Sequence, residues 1–193
     1  MGLDRSLLMS STEQESILNG HISERISFTS VTPENVEVLR KLNTTLFPIE
    51  YGEIFYNGVV QPELARFCKL VYVNDELVGT ITGRVVDHEN ETKLYIMTMG
   101  VLESHRSKKI GSKILKHIVD ITRESESPKF ASILLHVWLR NVDAKRFYER
   151  NGFQEVGVAV EFYKADIDVR DAWILEMRFQ PRPANGVNEV ERQ

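Results

Sequence analysis

Hydrophobic and polar positions along this chain alternate between the two-residue period of strands and the 3.6-residue period of helices. Strands are predicted where β-branched and apolar residues alternate or run together, at 25–31, 69–73, 77–86, 93–101, 130–139, 153–165 and 172–179. Helices are predicted where apolar residues recur every three or four positions, at 33–47, 51–60, 110–121 and 142–151. This order predicts an α+β fold, with one mixed central β-sheet flanked by helices.

Local start and stop signals mark the ends of several of these elements. Thr32 is expected to cap the first helix, with a proline and a glutamate in its first turn. Pro48 ends that helix, and Gly152 ends the last one, which Asn141 caps at its start. An Asn-Asp pair at 74–75 predicts a tight turn between the second and third strands.

Composition places the chain among ordinary soluble globular proteins with a single domain. It has 193 residues, of which 42% are hydrophobic and 27% charged. Residues 1–22 and 181–193 are polar and aperiodic, so we expect two disordered tails around a domain at 23–180. The net charge of −4 does not favour nucleic-acid binding, and the longest apolar runs are far too short to span a membrane.

The positions of cysteine and histidine bear on whether the chain has disulfides or a metal site. The single cysteine, Cys68, permits no internal disulfide and fits a reducing compartment. His88, His105 and His117 have no ligand-like spacing with that cysteine, so no metal site is expected.

A basic loop at 102–109 separates the strand at 93–101 from the helix that begins at Ile110. Arg106, Lys108 and Lys109 bring positive charge to the start of that helix, just before Gly111. Free amide N–H groups and the positive end of the helix dipole also lie there, so the loop predicts an anion site suited to phosphate. The alternative is an ordinary strand–helix turn with a solvated basic loop.

The element order, with this loop before the central helix, resembles the GNAT acetyltransferase fold. Four local strings resemble, more narrowly, the San-type (NatE) N-terminal acetyltransferases over roughly residues 25–180. They are Leu94 to Gly100 (LYIMTMG), Leu135-His136-Val137, Phe147-Tyr148 with Asn151-Gly152-Phe153, and Leu46-Phe47-Pro48 with Tyr51.

The resemblance implies that acetyl-CoA is the co-substrate and lies beside the central strand. Family members bind its pyrophosphate with loop amides, in a pattern whose first glycine is replaced here by Lys109. A glycine lets the backbone approach phosphates without a Cβ, so the lysine adds both charge and bulk. The implied cofactor-binding residues are Met97, Thr98, Met99, Arg106, Ser107, Lys108, Lys109, Ile110, Gly111, Ser112, Asn141 and Tyr148.

By the same resemblance, Tyr95 and His136 form the catalytic acid–base pair that deprotonates the incoming amine. A neutral imidazole, with an unperturbed pKa of about 6.5, suits an α-amine whose pKa is about 8. Tyrosine, with a pKa of about 10, would serve as a hydrogen-bond relay. The alternative is structural: a packed strand tyrosine and a satisfied core histidine.

The resemblance also implies that Phe47, Pro48, Ile49 and Tyr51 form an apolar wall around the substrate's first side chain, which suits the flexible side chain of an initiator methionine. Phe162 and Tyr163 would cover the peptide backbone, where the family has two adjacent tyrosines. Without the resemblance, Phe47 and Phe162 would simply be core aromatics. The implied substrate-binding residues are Phe47, Pro48, Ile49, Tyr51, Tyr95, Met97, His136, Phe162 and Tyr163.

Together these features predict an N-terminal acetyltransferase that acts on Met-apolar polypeptides, nascent or free, and more weakly on lysine side chains. Its expected setting is the cytoplasm, with ribosome association, a nuclear fraction and the NatA complex subunits as partners. One alternative is a GNAT-fold scaffold subunit of the NatA/NatE complex with weak or no catalysis. The other is a GNAT enzyme for a small amine, which the aromatic pocket disfavours.

Overall fold

The computed structural model describes residues 25–88, 90–163 and 169–180, and these form one seven-stranded sheet with four α-helices. The strands are β1 (Ile26–Ser30), β2 (Lys69–Val73), β3 (Glu76–His88), β4 (Glu91–Val101), β5 (Ser132–Trp138), β6 (Gln154–Ala159) and β7 (Ala172–Arg178). The helices are α1 (Val36–Leu46), α2 (Glu53–Val59), α3 (Ile110–Arg123) and α4 (Val142–Arg150).

Strand order across the sheet is β1-β2-β3-β4-β5-β7-β6. Every neighbouring pair is antiparallel except β4 and β5, which are parallel. The predicted mixed sheet is therefore confirmed, and the last two strands are antiparallel partners. The turn between β2 and β3 is confirmed as well, because Asn74 and Asp75 both have positive φ, as a tight hairpin requires.

Each face of the sheet carries its own apolar cluster. The face under α1 and α2, which we call the front, buries Leu39 and Val59 against Leu70. The face under α3 and α4, the back, buries a larger cluster that includes Ile118 and Leu135. Full burial of each such side chain contributes about 1.5–3 kcal/mol, so this burial holds the four helices on the sheet.

Two predicted boundaries differ from the structure by three residues or more. The first helix begins at Val36 and not next to Thr32, because Asn35 stabilises a turn before it. Asn35 Oδ1 accepts from the Thr32 amide at 2.8 Å, and its Nδ2 donates to the Ser30 carbonyl at 2.9 Å.

The strand predicted at 153–165 ends at Ala159, and residues 160–163 form a turn and an irregular stretch. Alternating valines continue the strand pattern of β6 as far as Val160. The strand nevertheless ends at Ala159, because Ala159 pairs with Ala172, the first residue of its partner β7. The two tails predicted at 1–22 and 181–193 lie outside the described residues.

Candidate active site

Strands β4 and β5 are paired along only the first part of their lengths. Their register covers three residue pairs, the last of which joins Tyr95 to Leu134. Both strands continue beyond this point, to Val101 and Trp138, without pairing to each other. The unpaired edges form a cleft lined by backbone, and the predicted cofactor residues at 97–99 lie along it.

A β-bulge at Met97 changes which side of β4 each side chain faces. Thr82 pairs with Thr98 while Gly83 pairs with Ile96, so Met97 has no partner on β3. Met97 packs with the front cluster, whereas Met99 packs with the back cluster. The three predicted residues Met97, Thr98 and Met99 therefore share the edge of the cleft, while their side chains do not form one group.

Tyr95 and His136 meet at the mouth of this cleft. The Tyr95 hydroxyl lies 3.1 Å from His136 Nδ1, within hydrogen-bonding distance. Burial lowers the pKa of His136, so the imidazole is neutral at pH 7. Burial, with a smaller contribution from the nearby Tyr163, raises the pKa of Tyr95 to about 12. The pair thus offers a neutral base joined to a phenol that keeps its proton.

An aromatic wall begins where α1 ends. The Phe47 ring packs against β4 so closely that a Cβ on Gly100 would lie 3.1 Å from it. Tyr51 meets Phe47 edge to face at 5.9 Å between ring centroids. Pro48 is exposed and Ile49 half-buried in the bend between these two rings. The four residues predicted to bind the substrate's first side chain are therefore close together along the chain and beside β4.

On the opposite side, the segment after β6 places Phe162 and Tyr163 near the same point. The Phe162 ring stacks on the His136 imidazole with centroids 4.0 Å apart and planes 5° apart. Burial raises the pKa of Tyr163, and burial with nearby tyrosines raises that of Tyr51 to about 12. Tyr163 contributes to the raised pKa of both Tyr51 and Tyr95, so the three tyrosines lie in the same region of the site.

Asn141 lies at the start of α4 and Tyr148 lies within this helix, behind the cleft. Asn141 caps this helix as predicted, with Oδ1 accepting from the Ala144 amide at 3.1 Å. Tyr148 is buried between Phe147 and Phe153, and this burial raises its pKa well above the ordinary value for a tyrosine. Tyr148 therefore remains a neutral hydrogen-bond donor at physiological pH.

The basic loop leads into α3 with its helical amides open. No side chain among the described residues caps this helix, so the amides of Ile110, Gly111 and Ser112 have no intrahelical acceptor. The Ile110 side chain is buried in the core, so that residue can reach a ligand only through its backbone. Arg106, Ser107 and Lys108 are exposed beside these amides, which gives the site its positive charge.

Lys109 occupies the N-cap of α3 in the left-handed region, with φ of 60° and ψ of 9°. Glycine adopts this conformation without cost, whereas other L-residues lose roughly 1–2 kcal/mol. The family's glycine at this position therefore has a conformational reason in addition to close approach to phosphate. In this chain Lys109 adopts the same left-handed conformation, with the strain that a side chain brings there.

Arg84 belongs to the site although the sequence did not single it out. It pairs opposite Tyr95 on β3, and its guanidinium lies 5.3 Å from the centroid of the tyrosine ring. Its charge lowers the pKa of Tyr95 and so opposes part of the effect of burial. The pairing register of the β3–β4 hairpin could have placed Arg84 opposite Tyr95. That register cannot be counted along the sequence without knowing that Met97 is bulged.

Within the described ranges, no group of three or more His, Cys, Asp or Glu side chains is arranged to hold a metal ion. In the same ranges no helix combines the length and apolarity that a membrane crossing needs.

Known proteins are similar to this chain in both sequence and architecture. A family model described as the acetyltransferase (GNAT) family matches residues 32–153. N-alpha-acetyltransferase 50 of Danio rerio is 35% identical over 168 residues, which cover 87% of this chain and 97% of the relative. The probable N-acetyltransferase san of Drosophila melanogaster is 38% identical over 151 residues, covering 78% of this chain and 79% of the relative.

Among solved structures, Arabidopsis thaliana Naa50 in complex with the bisubstrate analogue CoA-Ac-MVNAL superposes with a TM-score of 0.71. It is 34% identical, and the match covers 80% of this chain and 99% of the Arabidopsis chain.

The chain therefore belongs to the GNAT acetyltransferase family. Within that family it is a San-type (NatE) N-terminal acetyltransferase, an enzyme that takes its acetyl group from acetyl-CoA. The open cleft between β4 and β5 and the uncapped, cationic start of α3 fit an extended ligand that ends in phosphates.

Proposed function

We propose that this enzyme acetylates the α-amine of polypeptides that begin with methionine followed by an apolar residue. The observation that carries the proposal is the neutral Tyr95–His136 pair at the mouth of the cleft, beside the aromatic wall at Phe47. The Arabidopsis relative was solved with an analogue whose peptide begins Met-Val, which supports the same substrate class for this chain.

Tyr95 and His136 are proposed as the catalytic residues. Acetyl-CoA supplies a thioester, whose acyl carbon bonds to the amine nitrogen while the carbon–sulfur bond breaks. The amine must lose a proton, and the neutral His136 is able to accept it through the Tyr95 hydroxyl. Tyr148, with its raised pKa, is suited to donate a hydrogen bond to the leaving sulfur and not to release its proton fully.

Phe47, Pro48, Ile49 and Tyr51 are proposed to enclose the methionine side chain, together with Met97 from β4. The wall is apolar, and burial of a methionine-sized side chain contributes about 1.5–3 kcal/mol. Phe162 and Tyr163 are proposed to cover the peptide backbone from the other side. Because the family's first tyrosine is Phe162 here, one hydroxyl is missing from that cover.

Arg106, Ser107, Lys108, Lys109, Gly111 and Ser112, with the Ile110 amide, are proposed to hold the phosphates of acetyl-CoA. The open amides and exposed cations at the start of α3 support this role. Met97, Thr98 and Met99 would line the pantetheine with backbone groups, and Asn141 and Tyr148 would approach the thioester from α4.

We place this activity in the cytoplasm, on nascent and free N-termini, with ribosome association, a nuclear fraction and the NatA subunits as partners. The San-type resemblance supports this placement. Size-exclusion chromatography with purified NatA would test the partnership, and separate elution at micromolar concentrations would reject it. Lysine side chains are a weaker second acceptor, because they also carry a primary amine.

The decisive experiment compares peptides that begin Met-Leu, Ser-Leu and Ala-Leu. Met-Leu should be acetylated roughly 10–200-fold more efficiently, because the smaller first residues leave the pocket unfilled. Phe47→Ala should raise KM for Met-Leu and flatten the preference, while calorimetry shows unchanged acetyl-CoA affinity. Phe179→Ala is a matched control, since that half-buried ring packs under Arg123 and away from the cleft.

Equal rates for all three peptides would show that the pocket is misplaced. Absence of both turnover and acetyl-CoA binding would instead favour the scaffold alternative.

A further inference from the structure

The stack between Phe162 and His136 is closer and flatter than such pairs usually are. Its centroids lie 4.0 Å apart and its planes differ by 5°. Free aromatic pairs prefer offset or edge-to-face arrangements with centroids roughly 4.5–7 Å apart. The two rings are therefore nearly parallel and in closer contact than that range.

The segment that carries Phe162 is held at its base by three polar contacts. The Glu161 amide donates to Asp171 Oδ1 at 2.9 Å, and the Tyr163 amide donates to the Arg170 carbonyl at 2.9 Å. The Arg170 guanidinium also pairs with the Glu161 carboxylate at 2.7 Å. These contacts fix the backbone on both sides of Phe162 and so fix the height of its ring over β5.

The imidazole is then held along two independent directions. The Tyr95 hydroxyl meets Nδ1 in the plane of the ring, at 3.1 Å. Phe162 covers one face of the ring and is itself 37% exposed, so it separates the imidazole from solvent. Rotation about the bond to the ring would break the hydrogen bond or collide with Phe162.

We propose that Phe162 is a positioning residue that holds the imidazole of His136 in line with Tyr95 and keeps one of its faces dry. This inference rests on the proposed role of His136 as a base. It gives Phe162 a function in addition to covering the peptide. Phe162 acts through His136 and does not itself need to touch the reacting atoms.

The surroundings of His136 allow this role to be measured by titration. Among the described residues, the titratable groups around His136 are Arg84 on β3, Tyr95 on β4, Tyr51 before α2 and Tyr163 beside Phe162. The tyrosines with raised pKa values stay neutral below pH 9, so none of them titrates together with the imidazole. Burial lowers the pKa of His136, in agreement with a covered ring.

The test uses Phe162→Leu, which keeps apolar volume but removes the flat ring, and Phe162→Tyr, which keeps the ring. His136 is titrated by NMR in the full chain, with its signals assigned from His136→Gln. Phe162→Leu should raise the His136 pKa and move the acidic limb of kcat/KM to higher pH. It should also lower kcat by about tenfold, less than the hundredfold cost of a full misplacement of reacting groups.

Phe162→Tyr should restore both the titration and kcat to near the starting values. Val160→Ala is the matched control, because Val160 lies on the same segment, is 75% exposed and should change neither quantity. Phe162→Met is a second ring-free variant, in case the leucine variant lowers the melting temperature by more than a few degrees.

An unchanged His136 titration and pH limb in both ring-free variants, with a raised KM, would reduce Phe162 to a cover for the peptide and overturn the inference. A different outcome is that the ring-free variants shift the His136 titration although the enzyme acetylates no peptide. The positioning role would then stand, while the proposed function would fail.

Discussion

Strands β4 and β5 carry two polar groups, one where the strands are paired and one where they separate, and the two groups are built in different ways. At the paired end, Lys93 and Glu176 form a buried ion pair at 3.1 Å, and Ser132 donates to the same carboxylate at 2.6 Å. At the open end, Tyr95 and His136 form a neutral hydrogen bond at 3.1 Å beside the cleft. On β4 the single residue Leu94 separates the charged network from the uncharged one, and on β5 three residues lie between Ser132 and His136.

The difference follows from what each end must do. Glu176 lies on β7, which is paired on one side with β5 and on the other with β6, and its side chain is buried. An unpaired charge would be costly there, and both Lys93 and Arg178 form ion pairs with it. Burial would raise the pKa of Glu176, but hydrogen bonds from Ser132 and Lys93 outweigh it and hold the pKa below its usual range. At the open end a proton must move near pH 7, which a neutral base permits and a fixed ion pair would not.

The largest expected effect is on stability at the paired end. Glu176→Ala should lower the free energy of unfolding by about 3–5 kcal/mol, because it leaves the buried Lys93 with only its longer contact to Glu91, at 3.7 Å. Urea denaturation followed by circular dichroism measures this loss. Glu176→Gln is the matched control, since its amide oxygen still accepts hydrogen bonds, and it should cost less. A loss below 1 kcal/mol for the alanine variant would show that the network does not hold the strands.

At the open end the same kind of change should affect rate and not stability. His136→Ala and Tyr95→Phe should each lower turnover by about 10²-fold, equivalent to about 2.7 kcal/mol of activation free energy. Acetyl-CoA binding by calorimetry and the unfolding midpoint should stay close to wild type. If both residues share one proton route, the double variant should lose less than the product of the two single losses. Near-normal turnover of His136→Ala would remove it from the mechanism.

Acidification should separate the two ends by pH. The pKa of His136 lies below 6.5, so kcat/KM should fall about tenfold per pH unit below that pKa, as the base becomes protonated. The pKa of Glu176 lies below 4.5, so its contribution to stability is present above that pH and lost as pH falls through the lowered value. Activity should therefore disappear first while the fold persists.

A pH series of kcat/KM beside a pH series of urea midpoints measures both transitions. His136→Ala should lack the first break, and Glu176→Gln should weaken the second. Coincident transitions would mean that unfolding, and not protonation of His136, ends activity.

The smallest expected effect concerns the loop that enters α3. Lys109→Gly relieves a left-handed residue and should raise the free energy of unfolding by up to about 1 kcal/mol, after the entropy cost of glycine. Acetyl-CoA affinity should stay equal or become tighter. Lys108→Gly is the matched control, because Lys108 is exposed and has no positive φ, so it should gain nothing. A loss of stability in the Lys109 variant would show that the lysine side chain outweighs the strain.

Much of the scaffold could be predicted from periodicity and turn residues. The stripe of Ile110, Ile114, Leu115 and Ile118 is buried as expected, and all seven strands exist. The predictions failed at element boundaries. The first helix starts late because of the hydrogen bonds of Asn35, and β6 ends at Ala159 because its partner strand begins at Ala172. Apolar alternation reports which residues could be buried, and it does not report where a partner strand ends.

The sequence by itself determined the α+β class, the order of the elements, the cationic start of α3 and the two residue types suited to acid–base work. Only the tertiary structure decided that β4 and β5 separate after Tyr95 and that Met97 is bulged. It also decided that Arg84 and Phe162 surround the Tyr95–His136 pair. Elements form from contacts between near neighbours, whereas the distance between two strands depends on residues far apart in the chain, which no local pattern records.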